Sequence, residues 1–197
     1  MAVARLIRSA IAKRGKSGTC PRRPSEPVDA MNAELITLRI LHIVAGVFWA
    51  GAAVYLALVL EPGLRRAGDE VEKQVLKRIS RLNSLWITLS AIVTIVGGFV
   101  LVSRTPGRDF EQIFSNGWGT AIGIGMIASV LAFLLSGWVG ANSARLRRLL
   151  AAMGSEGLSS DQQRDAMSYR SRIAAGSKVN AVLVVVAVGA MASARYV

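Results

Sequence analysis

Between Arg39 and Glu61 the chain runs for 21 residues, Ile40 to Leu60, without a formal charge. An α-helix needs about 20 predominantly apolar residues to cross roughly 30 Å of hydrocarbon, so this run reads as a membrane span. Inside and beside it, Arg39, His42, Gly46, Trp49 and Ala53 recur at spacings of three and four and share one helical face. His42 is the only histidine in the protein. An ionisable group in a span is costly in lipid and faces protein or a cavity, which makes this stripe the first place to look for chemistry.

Three further apolar runs follow, Leu85–Ser103, Trp118–Ala141 and the shorter Val179–Ala194. The expected fold is therefore all-α: an integral membrane four-helix bundle with spans at about 36–60, 85–103, 118–141 and 179–194 and helical cytoplasmic extensions. Glu61-Pro62-Gly63 is expected to end the first helix, because proline cannot continue it. Asp69, Glu70 and Glu72 then place negative charge at a helix start, and Val71, Val75, Ile79 and Leu82 carry one apolar face toward the second span. Ser90, Thr94 and Gly98, and later the pairs Gly119/Gly123 and Gly137/Ala141, are small residues at spacings that let helices approach closely in lipid. Residues 104–117 read as a loop with an interfacial turn at Phe110 to Phe114. The third helix is expected to run on to a cap at Gly154, and Ser160 with Gln163 reads as the capping box of the last.

A composition of 52% hydrophobic and 18% charged residues, with mean hydropathy +0.44, suits such a bundle. The net charge of +12 and pI near 11.2 would suggest nucleic acid in a soluble protein. Here the basic residues cluster beside the spans, so their expected partners are the lipid bilayer and its anionic headgroups, not nucleic acid. The first link carries Arg65, Arg66, Lys73, Lys77, Arg78 and Arg81, and the third carries Arg145, Arg147, Arg148, Arg164, Arg170, Arg172 and Lys178. The positive-inside rule puts both links in the cytoplasm and both termini outside, in a bacterial inner membrane. Residues 1–30, with seven Lys/Arg and no signal-peptide core, conflict with that orientation. They read as a disordered basic tail, as a transit-like presequence or as a start assigned too far upstream, with residues 31–197 forming the membrane domain. The single Cys20 excludes an internal disulfide and a thiolate metal cluster. Either a homo-oligomer or a hetero-oligomer is compatible with this composition.

The segment HIVAGVFWAG, with Trp49 seven residues after His42, resembles the first span of the four-helix membrane family that holds copper-resistance protein D domains and the membrane-type protoporphyrinogen oxidase. The ending MASARY and the NGWG at the third span are similar to uncharacterised proteins of this kind. The resemblance implies haem b bound through His42 as iron ligand; on the same helical face Trp49 is then expected to line the pocket, and Arg39, a turn toward the surface, to neutralise a propionate. In the oxidase a lysine one turn after the tryptophan of the third span also serves the haem. Here Ile122 stands four residues after Trp118, so the iron would be five-coordinate or take a weak sixth ligand.

Two classes of function follow. One is a haem-associated redox or porphyrin protein; the other is a non-catalytic membrane subunit or a small-solute or metal permease of the copper-resistance D type. His42 alone has two further readings: a structural hydrogen bond to Ser90, Thr94 or Ser129 on a neighbouring helix, or a proton or ion relay. Met126, Met153, Met167 and Met191 are expected to be core filler that makes no copper ligand set. Glu61, Asp69, Asp109 and Asp161 lie in the links, so no carboxylate pair inside the membrane supports acid–base chemistry of the soluble kind.

Overall fold

The computed structural model describes residues 26–152 and 158–197, and among them the chain is helical with no strand. Two compact units are distinguished, residues 1–34 and 35–197, and the second holds the apolar runs. Four helices are long and apolar enough to cross a membrane: α1 (Glu26–Tyr55), α3 (Asp69–Arg104), α4 (Gly117–Ala151) and α5 (Ser160–Ser193). A short α2 (Glu61–Ala67) joins α1 to α3. The expected all-α four-helix membrane bundle is the fold. Exposed Ile36, Ile40, Leu41, Val44, Val47 and Phe48 make α1 apolar well beyond its packed stripe, a surface suited to lipid and not to water.

The helices run alternately up and down. At one end Arg170 of α5 reaches Asp69 and Glu72 at the start of α3, and Leu76 packs on Leu146, Leu150, Leu158 and Ala166. At the other end the chain terminus at Val197 lies against Gly117, and Phe99 stacks on Phe110 with centroids 6.1 Å apart. At 36 residues α3 is about 54 Å long, well beyond the roughly 30 Å of a hydrocarbon core. The surplus belongs to the first-link end, where the leucine knot gives α3, α4 and α5 a core of their own.

Between the two ends the bundle is knitted by small residues. Trp49 and Ala53 of α1, Ala91 of α3, Ala132 of α4 and Val184 of α5 meet in one buried cluster. Lipid tails are as apolar as these side chains, so helices associate in a membrane through close van der Waals contact, which short side chains permit. Ser136 of α4 adds a hydrogen bond to Asn180 of α5 at 3.2 Å.

Several local expectations change. Pro62 does not end the first helix: residues Leu56–Leu60 form a π turn, with Glu61 N–H donating to Leu56 O, and Pro62 falls in the first turn of α2. There a missing N–H leaves no ladder bond broken, and the chain stays helical until Gly68 at φ 89°. The capping box of α5 forms on Ser159 and Gln162, one residue earlier than expected, because the run Ser-Ser-Asp-Gln-Gln contains the same spacing twice. The cap expected at Gly154 lies outside the described residues, as do residues 1–25 of the basic tail. Glu26 to Ala30, assigned to that tail, are helical, with Pro27 in the first turn. The pair Gly119/Gly123 receives the loop residues Gln112, Ile113 and Phe114 and not another helix, while Gly137 and Ala141 face outward.

The Arg170 clamp is the strongest polar contact at the first-link end. Its Nε donates to Glu72 at 2.9 Å, and its Nη2 donates to Glu72 and to Asp69, the latter at 2.5 Å. Glu72 is only 5% exposed, so its charge depends on this partner. Arg170→Ala is expected to cost about 3–5 kcal/mol by stranding the carboxylate. Arg164→Ala, removing a pair whose side chains are 76% and 88% exposed, should stay within about 0.5 kcal/mol. Unfolding of both variants in detergent micelles measures the contrast.

Candidate functional site

The stripe on α1 faces α3. His42 Nδ1 lies 2.7 Å from the main-chain carbonyl oxygen of Thr94. A carbonyl only accepts, so the proton of the neutral ring sits on Nδ1 and Nε2 keeps its lone pair. Of the hydrogen-bond partners expected for His42, Thr94 is the one used, and through its backbone. Its hydroxyl donates instead to Ser90 O at 2.7 Å, and Ser129 donates to Gly125 O at 2.8 Å.

Glycine makes this approach feasible. A Cβ at Gly98 would lie 3.0 Å from His42 Cε1, and one at Gly97 would lie 3.5 Å from His42 Cβ. On the α1 side, Gly46 gives space to Thr94 Cγ2 in the same way, at 3.3 Å. The Ser90, Thr94, Gly98 spacing is therefore a seat for α1, as its small residues suggested.

Beyond the ring is a cavity of about 10 Å³, lined by His42, Thr94, Ile95, Gly98 and Phe99, by Met126 and Ser129 of α4, and by Met191 of α5. Its size suits one water molecule or one ion. Met191 is accommodated because α4 has glycine at 125, where a Cβ would meet Met191 Cγ at 2.9 Å. Two of the four methionines expected as core filler border this space. Met126 and Met191 are 65 residues apart in the chain yet line the same cavity as the histidine, a convergence that only the antiparallel pairing of α4 and α5 creates. Met167 is exposed on the far stretch of α5, and Met153 lies outside the described residues.

The other residues assigned to this site sit elsewhere. Trp49, 3% exposed, fills the four-helix junction with Ala53, Ala91, Ala132 and Val184 and does not line the His42 cavity. Its Nε1 has no acceptor among the described residues. Arg39 is exposed at the surface, one turn before His42. Pockets for ligands the size of haem b run from about 300 Å³ upward. The space at His42 is about 10 Å³, and the ring edge is closed by α3. Among the described residues no group of three or more His, Cys, Asp or Glu could hold a metal ion. The lining residues that carry a nitrogen or sulfur donor are His42, Met126 and Met191.

The closeness of ring and backbone has a measurable signature. Gly98→Ala should destabilise the parent by about 1–3 kcal/mol, since the new methyl meets a ring that its hydrogen bond holds in place. In a His42→Ala background most of that cost should vanish. A double-mutant cycle on micellar unfolding reads the coupling.

No family model, no curated protein and no solved structure matches this chain.

Proposed function

We propose that this membrane protein binds and passes a soft monovalent metal ion of the copper(I) class, as a metal permease of the copper-resistance D type. One observation carries the reading: His42, Met126 and Met191, from three different helices, line one ion-sized cavity within the bundle. Thioether and imidazole ligands favour copper(I), whereas calcium and magnesium require oxygen donors in number. No carboxylate lines the cavity. The donation of Nδ1–H to a main-chain carbonyl supports the same reading, because metal-bound histidines generally fix their second nitrogen in this way. The flexible methionine side chains supply the adjustment that entry and release of an ion require.

The purified chain, under reducing conditions and in competition with a chromophoric copper(I) chelator, is expected to bind about one copper(I). His42→Ala, Met126→Leu and Met191→Leu should each weaken binding by about tenfold or more, as loss of a metal ligand or its support generally does. Met167→Leu should leave it unchanged. Absent binding, or equal binding in all four variants, overturns the reading and leaves His42 as a helix lock in a non-catalytic subunit. A Soret band in the parent that disappears in His42→Ala would favour haem b instead.

The basic first and third links favour a cytoplasmic position in a bacterial inner membrane, with His42 toward the outer side. In a Cys20→Ser background, a membrane-impermeant thiol reagent should label Ser115→Cys on intact cells and miss Asp161→Cys. The reverse pattern would invert the topology.

A further inference from the structure

At the first-link end, remote from the His42 cavity, α2 and α5 border an open groove of about 590 Å³. Its lining includes Arg65, Arg170 and Lys178, the hydroxyl-bearing Ser171, and the apolar Met167 and Ala174, and it contains no acidic side chain. The two arginines are held in place from behind. Arg170 is pinned by Asp69 and Glu72, its main-chain carbonyl accepts from Arg65, and Arg65 also pairs with Glu61 at 3.1 Å. Arg170, Ala174 and Lys178 stand at i, i+4 and i+8, one above another on α5, so the alanine leaves open space between two positive charges. Lys178 lies within electrostatic reach of Glu61 but makes no closer ion pair among the described residues.

The groove's depth indicates what enters it. Lys178 directly precedes the last apolar run, and Glu61 directly follows the first. The mouth therefore lies where hydrocarbon gives way to headgroups. Below it, exposed Val179 and Val182 continue the wall of α5 as an apolar surface. We propose that the groove seats the headgroup of an anionic phospholipid. Its phosphate lies between Lys178 and Arg65, its outer hydroxyls reach toward Ser171, and its acyl chains lie along Val179 and Val182. A free phosphate would use the cations but not the apolar wall, which is why the lipid is the occupant. The site stands independently of the metal reading.

The test uses the whole chain in nanodiscs of phosphatidylglycerol or phosphatidylcholine, released into the gas phase for native mass spectrometry. One phosphatidylglycerol per chain should be retained, and phosphatidylcholine should not. Lys178→Gln, which touches no part of the Arg170 clamp, should lower retention about fivefold, the worth of one cation near an anionic surface. Arg195→Gln, at the opposite end, should leave it unchanged. Equal retention of both lipids, or no change in Lys178→Gln, overturns the proposal. Displacement of the retained lipid by millimolar inorganic phosphate overturns it too, by making the groove a site for soluble anions. Arg65→Ala should lower retention further, and a micellar unfolding curve matching the parent's shows that this loss is not one of fold.

Discussion

The hydrogen bond from His42 to the carbonyl of Thr94 sets the geometry of everything around it. It joins a side chain to the main chain of another helix, so it holds α1 at a distance and a rotation that no change of rotamer on α3 can relax. It fixes which nitrogen carries the proton. It also draws the ring so close to Gly97 and Gly98 that the space left beyond it has the volume of a single ion. Loosening this contact would enlarge the cavity and free the ring to choose its tautomer.

Two different sets of forces hold the two ends of the molecule. Within the apolar runs there is no water to expel, so contact area between small residues and a few polar links such as Ser136 to Asn180 carry the association. At the first-link end the same helices emerge into a polar environment, and burial of Leu146, Leu150, Leu158 and Ala166 regains its hydrophobic value. The Arg170 clamp sits at this boundary, where a buried Glu72 is tolerable because its partner arrives from another helix. The pairing of α4 with α5 spans both regimes, which is why methionines from both meet at the histidine in one and leucines meet in the other.

Much of this was legible in residue order. Four uncharged runs announced four helices, and the spacing of Ser90, Thr94 and Gly98 correctly marked the face that receives α1. What residue order does not carry is long-range register. Met126 and Met191 look like any other methionines of an apolar run until two antiparallel helices are set side by side, since nothing in the residues around either one points to the other. Trp49 has the opposite history. Its place on the stripe with His42 is real, but two further turns along α1 deliver it to the alanine junction and not to the cavity. Pro62 illustrates a local rule overridden by a local remedy, because the π turn before it absorbs the conflict that an uninterrupted α-helix would have suffered. The one-residue displacement of the capping box has no deeper cause than two serines followed by two glutamines.

That π turn also acts as a rotary joint. A helix advances about 100° per residue, so the extra residue held in Leu56–Leu60 turns all that follows relative to the stripe that begins at His42. Upstream the packed face of α1 addresses α3; downstream, Arg65 reaches the carbonyl of Arg170 on α5. One continuous rod thus serves two neighbours that lie in different directions. A chain shortened by a single residue within 56–60 could keep either engagement with its helices straight, but not both, so the central cavity and the basic groove are bound to each other through the phase of one helix.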